Sequence, residues 1–344
     1  MSGNKYFAAS NTEAGFVSYF AENFRDRADR SYIIKGGPGT GKSRLMREMG
    51  EAWERAGSEV EYYYCSSDPV SLDGLFVRAG GESIAVMDGT APHSEDIISA
   101  GVVDNIIDLG RFWDVGILRQ RRREIEAFGA EKKRAYLAAY RALSAYGSTL
   151  RAADALAECC IDKRAIEDEA AKIAVNLKRE RMLPSPISAV GMRGYVAFDS
   201  FRESAGLTLS VSDHRGYGLS HLYLDALVRA VGACRVAPHP ILKGRYSGIL
   251  SGGVAIVEAA LTDRGEKVID ISDFVDRSLY LPIKERVERL RSAAGTMLEE
   301  AMASFCEAGA AHMKIEEIFA TAMDFSEKEA YSGYLCSKIA SGDL

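Results

Sequence analysis

The sequence contains no C-x-x-C pair and no cysteine set at zinc-ligand spacing from a histidine, which excludes the common zinc and dithiol frameworks. Its six cysteines (Cys65, Cys159, Cys160, Cys234, Cys306 and Cys336) are therefore expected to be reduced, buried thiols of a cytoplasmic protein. No apolar run approaches the ~20 residues that span a bilayer, so no membrane role is expected. The opening MSGNKYFAAS lacks the basic-then-apolar pattern of a secretory leader. A net charge of −6 gives no general attraction for nucleic acid or an anionic membrane. Hydrophobic residues at 47% and charged residues at 27% suit a globular chain, and 344 residues suit about two domains.

One segment carries clear chemistry. SYIIKGGPGTGKSRLMREMGEAW reads as strand, loop and helix. Tyr32, Ile33 and Ile34 suit a buried strand, and Leu45, Met46 and Met49 recur at helical spacing. Between them, Gly36-Gly37-Pro38-Gly39-Thr40-Gly41-Lys42-Ser43 fits G-x-x-x-x-G-K-[ST], and Arg44 follows. Glycines let successive backbone N–H groups converge on phosphate, and the helix after them adds its free N–H groups and positive dipole end. Lys42 supplies a compact cation for the outer phosphates, and the Ser43 hydroxyl suits a magnesium shell. The segment thus predicts binding of a nucleoside triphosphate with Mg2+ through residues 36–44. At these residues the chain resembles the P-loop NTPase superfamily, and KGGPGTGKS is closest to AAA-like and related ATPases.

Other parts of this core are read with it. EVEYYYC, residues 59–65, predicts a strand ending in Ser66-Ser67-Asp68-Pro69 at the carboxyl edge of the sheet, where ligands of open α/β sheets bind. These residues either face the γ-phosphate and an attacking water or simply form a turn. IAVMD ends in Asp88, the pattern of a strand-end aspartate that holds magnesium through water. Gly89 stands where many such ATPases carry glutamate, so Asp68 is the substitute candidate for positioning water. His93 lies in the following loop, as a phosphate-orienting group or a loop histidine bonded to backbone. Asn11 or Thr12 is expected to cap a helix running through Phe16, Tyr19, Phe20 and Phe24.

The second half repeats the landmarks of the first in the same order. Gly15-Phe16-Val17-Ser18-Tyr19 returns as Gly194-Tyr195-Val196-Ala197-Phe198, and Gly39, Gly41, Ser43 and Leu45 return as Gly216, Gly218, Ser220 and Leu222. Pro69 returns as Pro240, and Ala85-Val86-Met87-Asp88 as Ala255-Ile256-Val257-Glu258. Ile107, Asp108, Phe112 and Asp114 return as Ile269, Asp270, Phe274 and Asp276. Leu219 replaces Lys42, and Asp213-His214-Arg215 replaces the glycine-rich start, so the second loop is degenerate. Across SNTEAGF, KGGPGTGKS, CSSDPVSLDG, DGTAPH and IIDLGRFWD the chain is similar to a bacterial family of uncharacterised tandem P-loop ATPases. That resemblance implies ATP binding and hydrolysis and names no substrate.

Residues 115–185 and 279–344 are helical in character. Tyr136, Tyr140 and Leu143 form an apolar stripe, with Arg121-Arg122-Arg123 and Lys132-Lys133-Arg134 outside it. These extensions are either arms for a protein or nucleic-acid partner or structural hairpins with solvated charged faces, the second being favoured by the intermixed acidic residues. The expected architecture is α/β, with two tandem three-layer α/β/α cores at 1–114 and 186–278, each followed by its helical appendage. Lys42 and Asp68 are the candidate catalytic residues. Arg215, Arg235 and Arg245 are candidate charge donors from the second core. Two rivals to an ATPase stay open: a small-molecule kinase of the same class, and a nucleotide-dependent switch without turnover.

Overall fold

The computed structural model describes residues 4–91, 97–259 and 267–344. The first half holds β1 (Asn4–Phe7), β2 (Ala9–Thr12), β3 (Gly15–Ser18), β4 (Arg30–Lys35), α1 (Lys42–Arg55), β5 (Glu59–Tyr64), β6 (Leu72–Ala79), β7 (Glu82–Asp88), β8 (Asp104–Asp108), α2 (Val115–Gln120) and α3 (Arg122–Ala157). The second holds α4 (Lys163–Ala174), β9 (Leu183–Pro184), β10 (Ser188–Gly191), β11 (Gly194–Ala197), α5 (Ser200–Glu203), β12 (Leu207–Ser212), α6 (Ser220–Val231), β13 (Arg235–Pro238), β14 (Tyr246–Ser251), β15 (Val254–Glu258), β16 (Lys267–Asp270), α7 (Arg277–Tyr280), α8 (Lys284–Thr321) and α9 (Phe325–Ser341).

The chain is α/β with two six-stranded mixed sheets of equivalent topology. One sheet has the order β1-β5-β6-β7-β4-β8, and the other, read from the matching edge, β9-β13-β14-β15-β12-β16. In each, one central strand is antiparallel to both neighbours, β6 in the first and β14 in the second. The hairpins after these strands turn on Gly80-Gly81 and Gly252-Gly253, all four with positive φ, as a tight two-residue turn requires. The equivalence extends to caps. Asp114 accepts from Gly116 N–H and Ile117 N–H at the start of α2, and Asp276 accepts from Ser278 N–H and Leu279 N–H at the start of α7.

The helix expected to start at Asn11 or Thr12 is instead the hairpin β2–β3. The Thr12 hydroxyl accepts from Ala14 N–H and donates to Gly15 O, closing the turn that Gly15 makes at φ +105. Phe20 and Phe24 then lie on and beside a single π-helical turn, Ala21–Arg25. The repeat of Gly15 at Gly194 marks the matching hairpin β10–β11.

Each sheet carries a long helix on one face only. On the first, Leu45, Met46, Met49 and Trp53 of α1 pack on Tyr32, Ile34, Val86 and Ile107. On the second, α6 and α4 cover Leu209, Val211, Val236, Ile249 and Ile256. The opposite faces do not have the second helical layer expected of an α/β/α core. They share one cluster, in which Tyr6, Ile33, Tyr63, Phe76 and Met87 of the first sheet meet Ala237, Ala255 and Val257 of the second, with Phe20, Phe24 and Phe201 filling the space. Burying an aromatic or large aliphatic side chain of this kind contributes roughly 1.5–3 kcal/mol, so neither inner face is stable in water alone.

The helices cross between the units. α3 and α8 pack along each other, with Tyr136 and Tyr140 edge-on to Phe305. After α3 the chain is received by the second core: Asp162 N–H donates to Phe274 O and Asp276 N–H to Cys160 O. After α8 it returns to the first: Asp324 N–H donates to Phe112 O and Asp114 N–H to Ala322 O. Thus α4 packs on α6 and α9 on α1, and each long helix links the two cores. Cys159 and Cys306 are exposed, unlike the uniformly buried thiols expected from the sequence.

Candidate functional site

The Gly-rich loop joins β4 to α1. Gly39 (φ +71) and Gly41 (φ +78) occupy left-handed backbone that disfavours any side chain. Gly41 caps α1 without a side-chain hydrogen bond, so the first-turn N–H groups stay available as donors. Thr40 closes the loop by donating to Gly37 O at 3.0 Å. Pro38 lies half-buried within it. Lys42 bends over the loop and donates to Gly36 O at 2.7 Å and Gly37 O at 2.9 Å.

β7 is the direct neighbour of β4, with Asp88 opposite Ile34. This register brings an Asp88 oxygen 3.6 Å from Lys42 Nζ. Asp88 is 9% exposed and also accepts from the Thr90 N–H and hydroxyl. Burial pushes its carboxyl up, Lys42 opposes this, and the charge of Asp73 adds to it. Asp73 was not singled out from the sequence. It follows Leu72, the first residue of β6, whose N–H donates to Ser43 Oγ at 2.9 Å, so Ser43, Asp73 and Asp88 share one region. Two buried carboxylates and a hydroxyl beside a lysine form an oxygen donor set suited to magnesium, which completes its shell with phosphate and water. Among the described residues, no group of three or more His, Cys, Asp and Glu is arranged to hold a metal by itself.

Gly89 follows Asp88 for a steric reason. A Cβ there would sit 2.4 Å from Ile33 Cγ2 and 3.0 Å from Lys35 Cε, while the Lys35 ammonium donates to Gly89 O. The glutamate found here in many ATPases has no room. Gly89→Ala is expected to destabilise the chain by about 1–3 kcal/mol through overpacking. Urea unfolding would measure it, and unchanged stability would mean that β4 yields freely at Ile33.

Ser66, Ser67 and Asp68 lie in the turn between β5 and β6. Ser71 donates to Asp68 through both its N–H and its hydroxyl, so the turn reading describes the backbone correctly. The other Asp68 oxygen accepts from Arg193 Nε at 3.0 Å. Arg193 sits in the β10–β11 turn of the second unit, which also holds the first unit's turn through Met192 N–H and Ser67 O. Arg44 points elsewhere, pairing with Glu48 on its own helix and Glu329 on α9.

The mouth of the loop is crossed by α8. A Cβ on Gly37 would meet Trp113 and Phe319, and one on Gly39 would lie 2.7 Å from Glu316 O. One turn earlier, His312 Nε2 lies 3.5 Å from the Glu316 carboxylate, and its Nδ1 lies 3.1 Å from Lys132 Nζ of α3. Burial first, and then the Lys132 charge, pull His312 down to about 4, so its imidazole is neutral and Nδ1 accepts from the lysine. Burial raises the Glu316 carboxyl, the Asp68 charge adds to this, and the Gly39 N–H and Lys42 counter it. Lys132, His312 and Glu316 escaped sequence reasoning because they lie far along two helices. Only the basic run 132–134 hinted at one of them.

The candidate donors from the second core are placed differently from expectation. Arg235 is tied to Glu61 at 2.6 Å and Arg245 to Asp154 at 2.8 Å, both in buried pairs. Each guanidinium is held in place by its carboxylate. Arg215 is exposed on the second loop. That loop carries its own anion: the Asp213 carboxylate accepts from Gly218 N–H and Leu219 N–H, the amides a phosphate would use. Arg291 of α8 then donates to Gly216 O and Tyr217 O and lies against Gly218, adding a guanidinium to the second loop. Ser220 donates to Glu258, the counterparts of Ser43 and Asp88. His93 lies outside the described residues. No helix among the described residues is long and apolar enough to cross a membrane. No family model, curated protein or solved structure matches the chain.

Proposed function

We propose that this chain binds MgATP at the loop 36–43 and hydrolyses it slowly. The observation that carries the reading is the convergence of Lys42, Ser43 and Asp88 on one glycine-rich turn at a helix N-terminus, with Lys42 Nζ 3.6 Å from Asp88. The loop amides and the α1 dipole favour the phosphate oxygens, and Lys42 exchanges its loop carbonyls for them. Ser43, Asp88 and Asp73 are the residues that would hold magnesium. When bound, the ion neutralises charge building on the phosphate oxygens. Asp68, fixed by Arg193 and Ser71, orients water on the far side.

A second reading, a nucleotide switch without turnover, is favoured by Gly89, whose surroundings leave no room for the usual glutamate. The expected result by calorimetry is one MgATP per chain, because Asp213 and Arg291 already occupy the second loop. Phosphate release above the uncatalysed rate selects hydrolysis, and tight binding without release selects the switch. No binding, or two comparable sites, overturns the proposal.

A further inference from the structure

Lys42 and Lys132 bring two ammonium groups to one half-buried space from elements more than eighty residues apart. Lys132 is held by the neutral nitrogen of His312, and no carboxylate pairs with it among the described residues. Its surroundings include Cys65 just after β5, Glu316 on α8 and Lys42 on the loop, of which Glu316 and Lys42 carry charge. Glu316 already serves the Gly39 amide and His312. Lys42 has Asp88 at 3.6 Å, but Lys132 has only a neutral imidazole, and a half-buried ammonium without a carboxylate favours an added anion. Lysines with nothing to bind are normally solvated and splayed apart. Here α3 and α8, locked together by Tyr136, Tyr140 and Phe305, hold Lys132 against His312, one turn from the Glu316 carbonyl that closes on Gly39 of the loop.

We propose that Lys132 is a second phosphate ligand, contacting the terminal phosphoryl group of the nucleotide, and that His312 positions it. The inference rests on the nucleotide-binding reading above. The expected specificity follows from the placement: Lys42 belongs to the loop itself, whereas Lys132 comes from α3, beside the α8 turn that crosses the mouth of the loop, where the end of a phosphate chain leaving the loop would meet it. A donor placed there discriminates triphosphate from diphosphate. It is a charge donor from the first unit's own long helix, where Arg235 and Arg245 are tied to carboxylates.

The test compares ATP and ADP binding by calorimetry, with magnesium, for the full chain and Lys132→Ala. ATP affinity is expected to fall roughly 10- to 100-fold, the loss of one charge-assisted hydrogen bond, with ADP affinity within about two-fold of the original. Lys132→Arg is expected to recover part of the preference for ATP. His312→Ala, which leaves the ammonium in place but unpositioned, is expected to lose part of it. Equal losses for both nucleotides, or none for either, would overturn the assignment, and so would a fall in melting temperature without a change in the ATP-to-ADP ratio. Binding of nucleotide by the unmodified chain keeps the parent reading intact whatever Lys132→Ala does. Failure of the unmodified chain to bind either nucleotide removes both.

Discussion

Lys42→Ala is expected to lower turnover by about 10²–10³-fold and to weaken MgATP binding, because a preorganised donor to the transferring phosphoryl group is removed. The alanine keeps α1 intact, since it is the best helix former and sits at the first helical position. The loop loses the cross-tie from Lys42 to Gly36 O and Gly37 O, but Thr40 still closes it on Gly37 O. Circular dichroism should therefore be unchanged while phosphate release and calorimetric heat fall together. A folded variant with full turnover would place the chemistry elsewhere. A variant that binds ATP normally but fails to turn it over would mean that the amides and the dipole carry affinity alone, and that Lys42 acts only on the transition state.

The duplication and the loop are legible in the sequence because they depend on local residue types. Glycines at fixed offsets, the strand ends at Asp88 and Glu258, and the caps Asp114 and Asp276 all report on backbone within a few residues. They return in the structure as strand order, hairpins and caps. The helix expected after Thr12 failed for an equally local reason: Phe16, Tyr19, Phe20 and Phe24 have helical spacing, but Gly15 at φ +105 makes a hairpin turn first. What the sequence does not expose is long-range. The exchange of α4 and α9 between cores, the back-to-back sheets, and the placement of Lys132, His312, Glu316 and Arg193 around the first loop follow from two helices crossing. No periodicity records which core a helix returns to. Asp73 is an intermediate case, since it stands in the stretch CSSDPVSLDG but looks like one more polar turn residue until β6 brings it beside Ser43.

The exchange also gives the second core a role without a working loop of its own. α8 leaves that core to deliver His312 and Glu316, and the β10–β11 turn delivers Arg193. The first site thus draws groups from both halves of one chain. A separately expressed first half would lack them.

Arg235→Ala is expected to cost up to about 3 kcal/mol of stability and leave turnover unchanged once the protein is folded. Arg235 reaches from the second sheet to Glu61 of the first, at 2.6 Å. The other Glu61 oxygen accepts from Arg27 at 2.9 Å and from the Tyr63 hydroxyl at 2.9 Å. Burial alone would push the Glu61 carboxyl up, yet Arg235 and Arg27 overcome it and hold it at about 2, against an ordinary 4.5. Such a lowering corresponds to roughly 3 kcal/mol favouring the charged form in the folded chain. Arg27 shares this lowering and remains in the variant, so about 3 kcal/mol is the upper end for removing Arg235 alone. The sign fixes the pH window. A lowered carboxyl stabilises fully above about pH 4.5, and that contribution disappears as pH falls toward 2. The original chain and Arg235→Ala should therefore differ most in urea unfolding near neutral pH and converge in acid. Glu61→Gln added to Arg235→Ala should recover part of the loss, since it removes the under-compensated buried charge. A charge donor to the nucleotide would give the reverse pattern, with turnover lost and stability kept. That result would mean that Arg235 leaves Glu61 during the reaction, and that the two sheets move against each other across Tyr6, Tyr63 and Phe201.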